Sequence, residues 1–587
     1  MKRFMLRPNV IPTLLTASCL VLTLSVLVNA QQATPSPSDD SRVGTISGTV
    51  VNESGQPLIG ATISVRAAGP SVIGRTSTTN SEGHFDVKGL DSSLYFVTAF
   101  SPAYVSPPLE VDTQAPTYRV GDTVKLVLMR GAVITGTVTN SSGEPMVAVR
   151  VRAFMVRDAS GKLTKGAVFS FGERPTDDRG IFRIFGLAPG AYVVLAGGGG
   201  PRPGVSITDM DAPTFAPSST RDTAAEVQVR GGEEATVDIR YRGEPGHSIS
   251  GTVKTQGPGG ASVSISRAGD GLMATNSSFQ APGSKGFAIY GLADGEYEIT
   301  AQESMTRTLM PFPEIATSDP LRVTVRGADV SGLELIPKPL ASIAGKVVLE
   351  SSKVPECQNK HQPLFSETMI SLLINRKDTE IDQSALIRSV MGMTVPDKDG
   401  AFTLRNLRRG QYAFSPRFFA RYWYLKGISL PLTAAQANAA KQITASKDVS
   451  KSWTTVKSGD RLIGLTITLA EGAASIRGQL TVDQDKKLEP GLNIYLTPSE
   501  RDKAEDPLRY FTQQVSDDGT FLLTSIPPGH YWLIAQPPSL DSPTITEKLR
   551  LPDALDTRTK IRRAAESAKV EVELKPCQNL TDYKIKL

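Results

Sequence analysis

Cysteine, histidine and aromatic residues are all scarce in this 587-residue chain, which holds three Cys, four His and only 6% Phe, Trp and Tyr. So few thiols exclude a disulfide-dense miniature scaffold, and no paired Cys-x-x-Cys spacing of a zinc or redox centre occurs. His84, His247, His361 and His530 are far apart, and none sits in a His-x-x-Glu arrangement. A Gly-x-Ser-x-Gly elbow and a phosphate-binding P-loop are also missing, so no catalytic residue, metal ligand or cofactor is implied. An excess of one charge is lacking too: 64 Lys and Arg face 59 Asp and Glu. The balance of +5 includes Lys2, Arg3 and Arg7, and removing them leaves +2. With no basic stripe, nucleic acid is not an expected partner.

Long apolar runs are confined to the start of the chain. Lys2, Arg3 and Arg7 precede the stretch from Ile11 to Val28, and Val28-Asn29-Ala30 offers small residues ahead of Gln31. That order of basic, apolar and small residues is expected to be a secretory signal peptide over residues 1–30. An uncleaved anchor and a lipidated Cys19 are the competing readings, although apolar residues continue past Cys19. No later segment could cross a bilayer as a helix, so the mature chain is expected to be exported and not membrane-spanning, in a periplasmic, cell-surface or secreted setting. Only Cys357 and Cys577 then remain. In an oxidising compartment they form either a disulfide clamping the last two modules or two separate thiols.

What the chain does contain is an internal repeat. Phe is followed ten positions later by Tyr at Phe85/Tyr95, Phe182/Tyr192, Phe287/Tyr297, Phe402/Tyr412 and Phe521/Tyr531. Between them lie a strand end, an apolar residue, a Gly/Pro turn and a strand opening with Tyr, as in Phe182-Arg183-Ile184-Phe185-Gly186-Leu187-Ala188-Pro189-Gly190-Ala191-Tyr192. Ahead of each Phe is a tight turn, Ser81-Glu82-Gly83, Asp178-Arg179-Gly180, Ser284-Lys285-Gly286, Lys398-Asp399-Gly400 or Asp518-Gly519.

Each repeat also opens on an alternating strand with Gly at its centre. The copies are Ile46-Ser47-Gly48-Thr49-Val50, Ile134-Thr135-Gly136-Thr137-Val138, Ile249-Ser250-Gly251-Thr252-Val253, Ile343-Ala344-Gly345-Lys346-Val347 and Ile476-Arg477-Gly478-Gln479-Leu480. Period-two alternation buries one strand face, as in a sandwich rather than a parallel α/β sheet. The length, together with 51 Gly and 40 Pro, suits a turn-rich array at roughly 100–150 residues per domain.

These residues, together with the Gly-x-Pro turns Gly55-Gln56-Pro57 and Gly143-Glu144-Pro145, resemble carboxypeptidase regulatory-like domains. The resemblance implies an all-β fold, a tandem array of about five seven-stranded transthyretin-like or prealbumin-like sandwiches, related to carbohydrate-binding-like folds. The expected organisation is a signal peptide (1–30), a disordered linker (31–43) and sandwiches over 44–129, 130–243, 244–338, 339–470 and 471–587. Short linkers predict a stiff rod of consecutive modules. Collagen-adhesin modules share part of the pattern, but Val50-Val51-Asn52 and Val97-Thr98-Ala99 stand where their crosslinking Lys and Glu are expected. A metallocarboxypeptidase would need a zinc site for which the histidines are wrongly placed.

Three candidate functional features remain. Phe418 to Lys426 alternates aromatics along an expected strand, so Arg421, Tyr422, Trp423, Tyr424 and Lys426 form either a stacking platform for sugar rings or a core strand. The repeat tyrosines are expected to tie corners through their hydroxyls. The Gly/Pro-rich loop 197–220 should be mobile, while 434–452 and Thr557–Ser567 could each carry a short helix. The function these features imply is non-catalytic binding or spacing at the cell envelope, with a glycan or an envelope protein as partner. A pure spacer and a part of, or accessory to, a hydrolase or metallocarboxypeptidase are the alternatives.

Overall fold

The first repeat shows how the pattern becomes a sandwich. Its strands are β1 (Gly44–Asn52), β2 (Thr62–Ala67), β3 (Gly74–Thr78), β4 (His84–Leu90), β5 (Leu94–Phe100), β6 (Tyr104–Val105), β7 (Tyr118–Arg119) and β8 (Thr123–Arg130) in the computed structural model. One sheet runs β4-β1-β8-β6 and the other β3-β2-β5-β7. Alternation places Ile46, Val50, Ile63, Val65, Phe85, Val87, Tyr95 and Val97 between them in one apolar cluster. The structure describes residues 44–586 except 69–73, 108–115, 165–173, 199–206, 258–259, 269–272, 281–282, 285, 305–313, 359, 376–392, 433–445, 482–487, 490 and 538–545. The expected signal peptide, the linker and most of the expected helix at 434–452 lie outside these residues.

The opening strand of every repeat occupies the same place. β1 pairs antiparallel with β4 and parallel with β8. Ala132–Thr139 lies likewise between Ile181–Leu187 and Glu234–Thr236, and His247–Val253 between Phe287–Leu292 and Val330–Leu335. Ala341–Glu350 lies between Ala401–Leu407 and Arg461–Glu471, and Ala474–Thr481 between Thr520–Ile526 and Asn579–Lys586. Separate apolar clusters fill these sandwiches, built on Phe85, Phe182, Phe287, Phe402 and Phe521. The fold is all-β, as the repeat pattern implies.

The register explains the central glycine. Gly48 faces Phe85, Gly136 faces Phe182, Gly251 faces Phe287, Gly345 faces Phe402 and Gly478 faces Phe521 across the antiparallel pair. A Cβ at any of the five would run into a carbonyl of the parallel strand, Val124, Val237, Leu333, Leu465 or Tyr583. At Gly48, Gly136, Gly345 and Gly478 it would also press on the facing Phe ring. Glycine and phenylalanine are thus one unit: the ring covers the backbone that the missing side chain leaves bare.

The tyrosine ten residues on closes the following corner. Each hydroxyl donates to the carbonyl four residues upstream: Tyr95 to Asp91 (2.9 Å), Tyr192 to Ala188 (2.8 Å), Tyr297 to Ala293 (2.7 Å), Tyr412 to Arg408 (2.8 Å) and Tyr531 to Pro527 (2.7 Å). Burial pushes the phenol pKa of Tyr95, Tyr192 and Tyr531 upward, so these rings stay neutral donors.

Two departures from expectation shape the surface. The described part of the Gly/Pro-rich segment is packed rather than loose: Thr214–Phe215 pairs with Leu195–Ala196, and Thr214, Phe215 and Ala216 are buried. Phe215 covers the outer face of the second repeat's sheet, in a second apolar cluster with Phe154, Val156, Ala191, Val193 and Leu195, while Ala216 joins the inner core. The signal was the unbroken apolar run Ala191–Ala196, which cannot leave one face wet. Contacts also extend beyond consecutive repeats, as an array touching only its neighbours would not allow. Ser92 in the first repeat donates to Glu367 in the fourth at 3.1 Å. Near the end of the chain the expected short helix is present as Leu555–Ala568.

Candidate functional site

The aromatic segment near Trp423 does not present a sugar-stacking face. The strand begins at Trp423 and runs to Pro431, so Arg421 and Tyr422 lie in the turn before it. Alternation then sends Trp423 inward: it is fully buried among Ile343, Leu425, Ile467 and their neighbours. An indole with no exposed face cannot stack on a ligand, and the platform loses its central ring. Tyr424, half-buried, has its phenol pKa pushed up by desolvation. Lys426 donates to Glu350, which raises the pKa of its ammonium. Arg421 lies exposed, its guanidinium 5.8 Å from the Tyr422 ring.

Tyr422 serves instead as a joint between the fourth and fifth repeats. Its carbonyl accepts from the backbone N–H groups of Gly472 (2.8 Å) and Ala473 (2.9 Å), at the crossing into the fifth repeat. Its hydroxyl accepts from the Asn579 amide at 3.0 Å, and Lys360 sits over its ring at 4.9 Å. Beside this joint the structure places Cys357 and Cys577 in a disulfide with Cα atoms 5.4 Å apart across 220 residues of sequence. Both cysteines are buried, and the Cys577 N–H donates to the Gly472 carbonyl at 3.0 Å. Arg417 and Glu547, 3.3 Å apart, add an ion pair across the same two repeats.

A joint of similar kind links the third repeat to the fourth. The Ile315 N–H donates to the Asn406 side chain at 3.0 Å, and Arg405 pairs with Glu314 at 2.7 Å. Asn406 adopts a positive φ of 59° at the bulge of its strand. Between the second and third repeats lies a cleft of about 430 Å³. Phe154, Leu195, Phe215 and Tyr297 supply its apolar surface, and Arg221, Asp222 and Arg267 lie along it. Arg267 and Asp222 pair at 3.1 Å across the two repeats. Burying the polar tip of Tyr241 nearby costs little, because its hydroxyl donates at 3.0 Å to Thr208, with Asp211 at 3.1 Å. No sequence signal marked this cleft, since its walls come from two repeats.

The histidines and turn carboxylates stand apart. His84 lies 3.6 Å from Asp86 and His530 3.9 Å from Glu571, both partly exposed. Among the described residues no three His, Cys, Asp or Glu groups gather as a metal would need. Asp518 accepts from the N–H (2.9 Å) and hydroxyl (2.7 Å) of Thr520, which lower its pKa. Sequence reasoning overlooked the equivalent anchors one step upstream of the first, second and fourth turns. Asn80 accepts from Glu82 and His84, Asp177 from Arg179 and Ile181, and Asp397 from Asp399 and Ala401. Asx-x-x-Gly was the legible signal.

Paired sheets, a parallel closing strand and a tyrosine corner define a prealbumin-like sandwich. The family model of the carboxypeptidase regulatory-like domain matches residues 45–124, within the first sandwich. No curated protein matches the chain in sequence. Among solved structures, the Bacillus anthracis TIE protein is similar at 10% identity, covering 84% of this chain and 70% of its own, with a TM-score of 0.15. The shaft pilin SpaA from Lactobacillus rhamnosus GG aligns at 12% identity over 34% of this chain and 97% of its own, with a TM-score of 0.17. A minor pilin of Streptococcus agalactiae aligns at 13% identity over 34% and 94%, with a TM-score of 0.18. No described helix is long and apolar enough to cross a membrane.

Proposed function

We propose that this chain is an exported, non-catalytic scaffold of five carboxypeptidase regulatory-like sandwiches that holds a binding surface at the cell envelope. The observation that carries the reading is the joint around Tyr422, where a disulfide, side-chain hydrogen bonds and an ion pair tie one repeat to the next. Residues that a free binding face would keep exposed are used to lock orientation, which suits a protein whose task depends on fixed spacing. An oxidising compartment outside the cytoplasm keeps such a disulfide closed.

The partner is an envelope glycan or an envelope protein. Glycan contact, if made, belongs to the cleft between the second and third repeats, where Arg221 and the Arg267–Asp222 pair offer polar groups to sugar hydroxyls, rather than to the buried Trp423. The purified chain from Gln31 onward is incubated with isolated envelope fractions and with insoluble polysaccharides. Retention on polysaccharide that is lost in Asp222→Ala/Arg267→Ala assigns a sugar site to the cleft. Retention on protein-containing envelope alone assigns a protein partner. Retention on neither overturns the binding scaffold.

A further inference from the structure

The first and fourth repeats meet through a small, mixed surface. Ala68 and Leu94 of the first and Met369 of the fourth form a buried cluster, with Phe96, Met393 and Val395 packed around it. At its edge Glu367 accepts from Ser92 at 3.1 Å and lies 3.7 Å from Arg119. The Arg119 guanidinium in turn sits 4.6 Å from the centre of the Phe419 ring. Leu94 and Phe96 belong to β5, whose Tyr95 and Val97 face the first repeat's own core. The contact therefore uses the sheet's outer face, and the sandwich beneath is complete without it.

The size of the contact sets its strength. Its ion pair is only partly covered, with 34% exposure at Arg119 and 16% at Glu367, so salt can still screen it. Among the described residues the buried apolar cluster across the contact holds three side chains, far fewer than the clusters inside the first and fourth sandwiches. We propose that this contact is a reversible latch: closed, it covers Leu94, Phe96, Met369 and Met393; open, it frees the first repeat and uncovers an apolar patch. Methionine on one side gives that patch an adaptable surface. The inference rests on the contact geometry and stands independently of the envelope reading.

Methionine oxidation tests it across the contact. Met369 is fully covered at the contact, whereas Met155 is equally buried inside the second repeat's own core. The full mature chain is treated with dilute peroxide, and sulfoxide formation is followed by peptide mass spectrometry. Arg119→Glu, on the opposite side from Met369 and repelled by Glu367, is expected to speed Met369 oxidation about tenfold while Met155 stays slow. Hydrogen exchange at Ile63 and Val97 checks that the first repeat remains folded. Should it not, Phe419→Ala removes the ring under Arg119 more gently, with an expected increase of about threefold. In the wild type, raising NaCl from about 0.05 M to 1 M should speed Met369 oxidation, and dilution should reverse it. A Met369 as slow as Met155 in a folded variant, or one indifferent to salt, overturns the latch.

Discussion

The fourth repeat takes part in two contacts of opposite character. Toward the fifth repeat it offers a buried disulfide, backbone hydrogen bonds to Tyr422 and the Asn579 amide. Toward the first it meets a three-residue apolar cluster, a serine hydroxyl and a partly covered ion pair. Sequence neighbours are thus locked by a covalent bond as well as by hydrogen bonds and an ion pair, while partners far apart in sequence meet through noncovalent groups alone. Closing a long loop costs entropy that weak contacts only partly offset, and a disulfide lessens that cost by restricting the unfolded chain.

The largest effect should come from the disulfide. The double substitution Cys357→Ser/Cys577→Ser, or reduction, is expected to lower stability at the fourth-to-fifth joint by about 2–5 kcal/mol. Thermal unfolding with and without reductant measures it, and an unchanged transition would make the joint no stronger than the distant contact. Next is Gly345→Ala, which sets a methyl against the Leu465 carbonyl and the Phe402 ring in the repeat that both contacts share. A loss of about 1–3 kcal/mol by denaturant titration is expected, with both contacts weakened together. The smallest effects separate the two contacts directly. Tyr422→Phe removes the acceptor for Asn579 in a half-buried site and should cost about 1 kcal/mol. Glu367→Gln should cost under about 1 kcal/mol and less still at high salt. A reversed order would mean that the distant contact is the tighter of the two.

Much of the sandwich was legible before any coordinates. The repeated glycine, phenylalanine and tyrosine positions, the corner role of the tyrosines and the short helix near residue 560 follow from local spacing, because alternation decides which face is inside, whereas the pairing of each glycine with its phenylalanine emerged only from the register. The same alternation marked Trp423 ambiguously, since an aromatic at an inward position reads alike whether its far side meets solvent or core. Charge pattern gave no warning of Arg119 and Glu367.

Sequence alone determined the all-β class, the repeat and its glycine, phenylalanine and tyrosine positions, each a consequence of side-chain alternation and tight-turn chemistry within one module. Only the tertiary structure decided that Trp423 is core, that the second repeat's sheet is covered on both faces, that a cleft opens beside Phe215 and that Ser92 reaches Glu367. The cleft and the Ser92–Glu367 contact depend on how sandwiches pack against one another, which leaves no periodic trace in the residues, while the burial of Trp423 and the covered second sheet depend on which segments of the same repeat close over them.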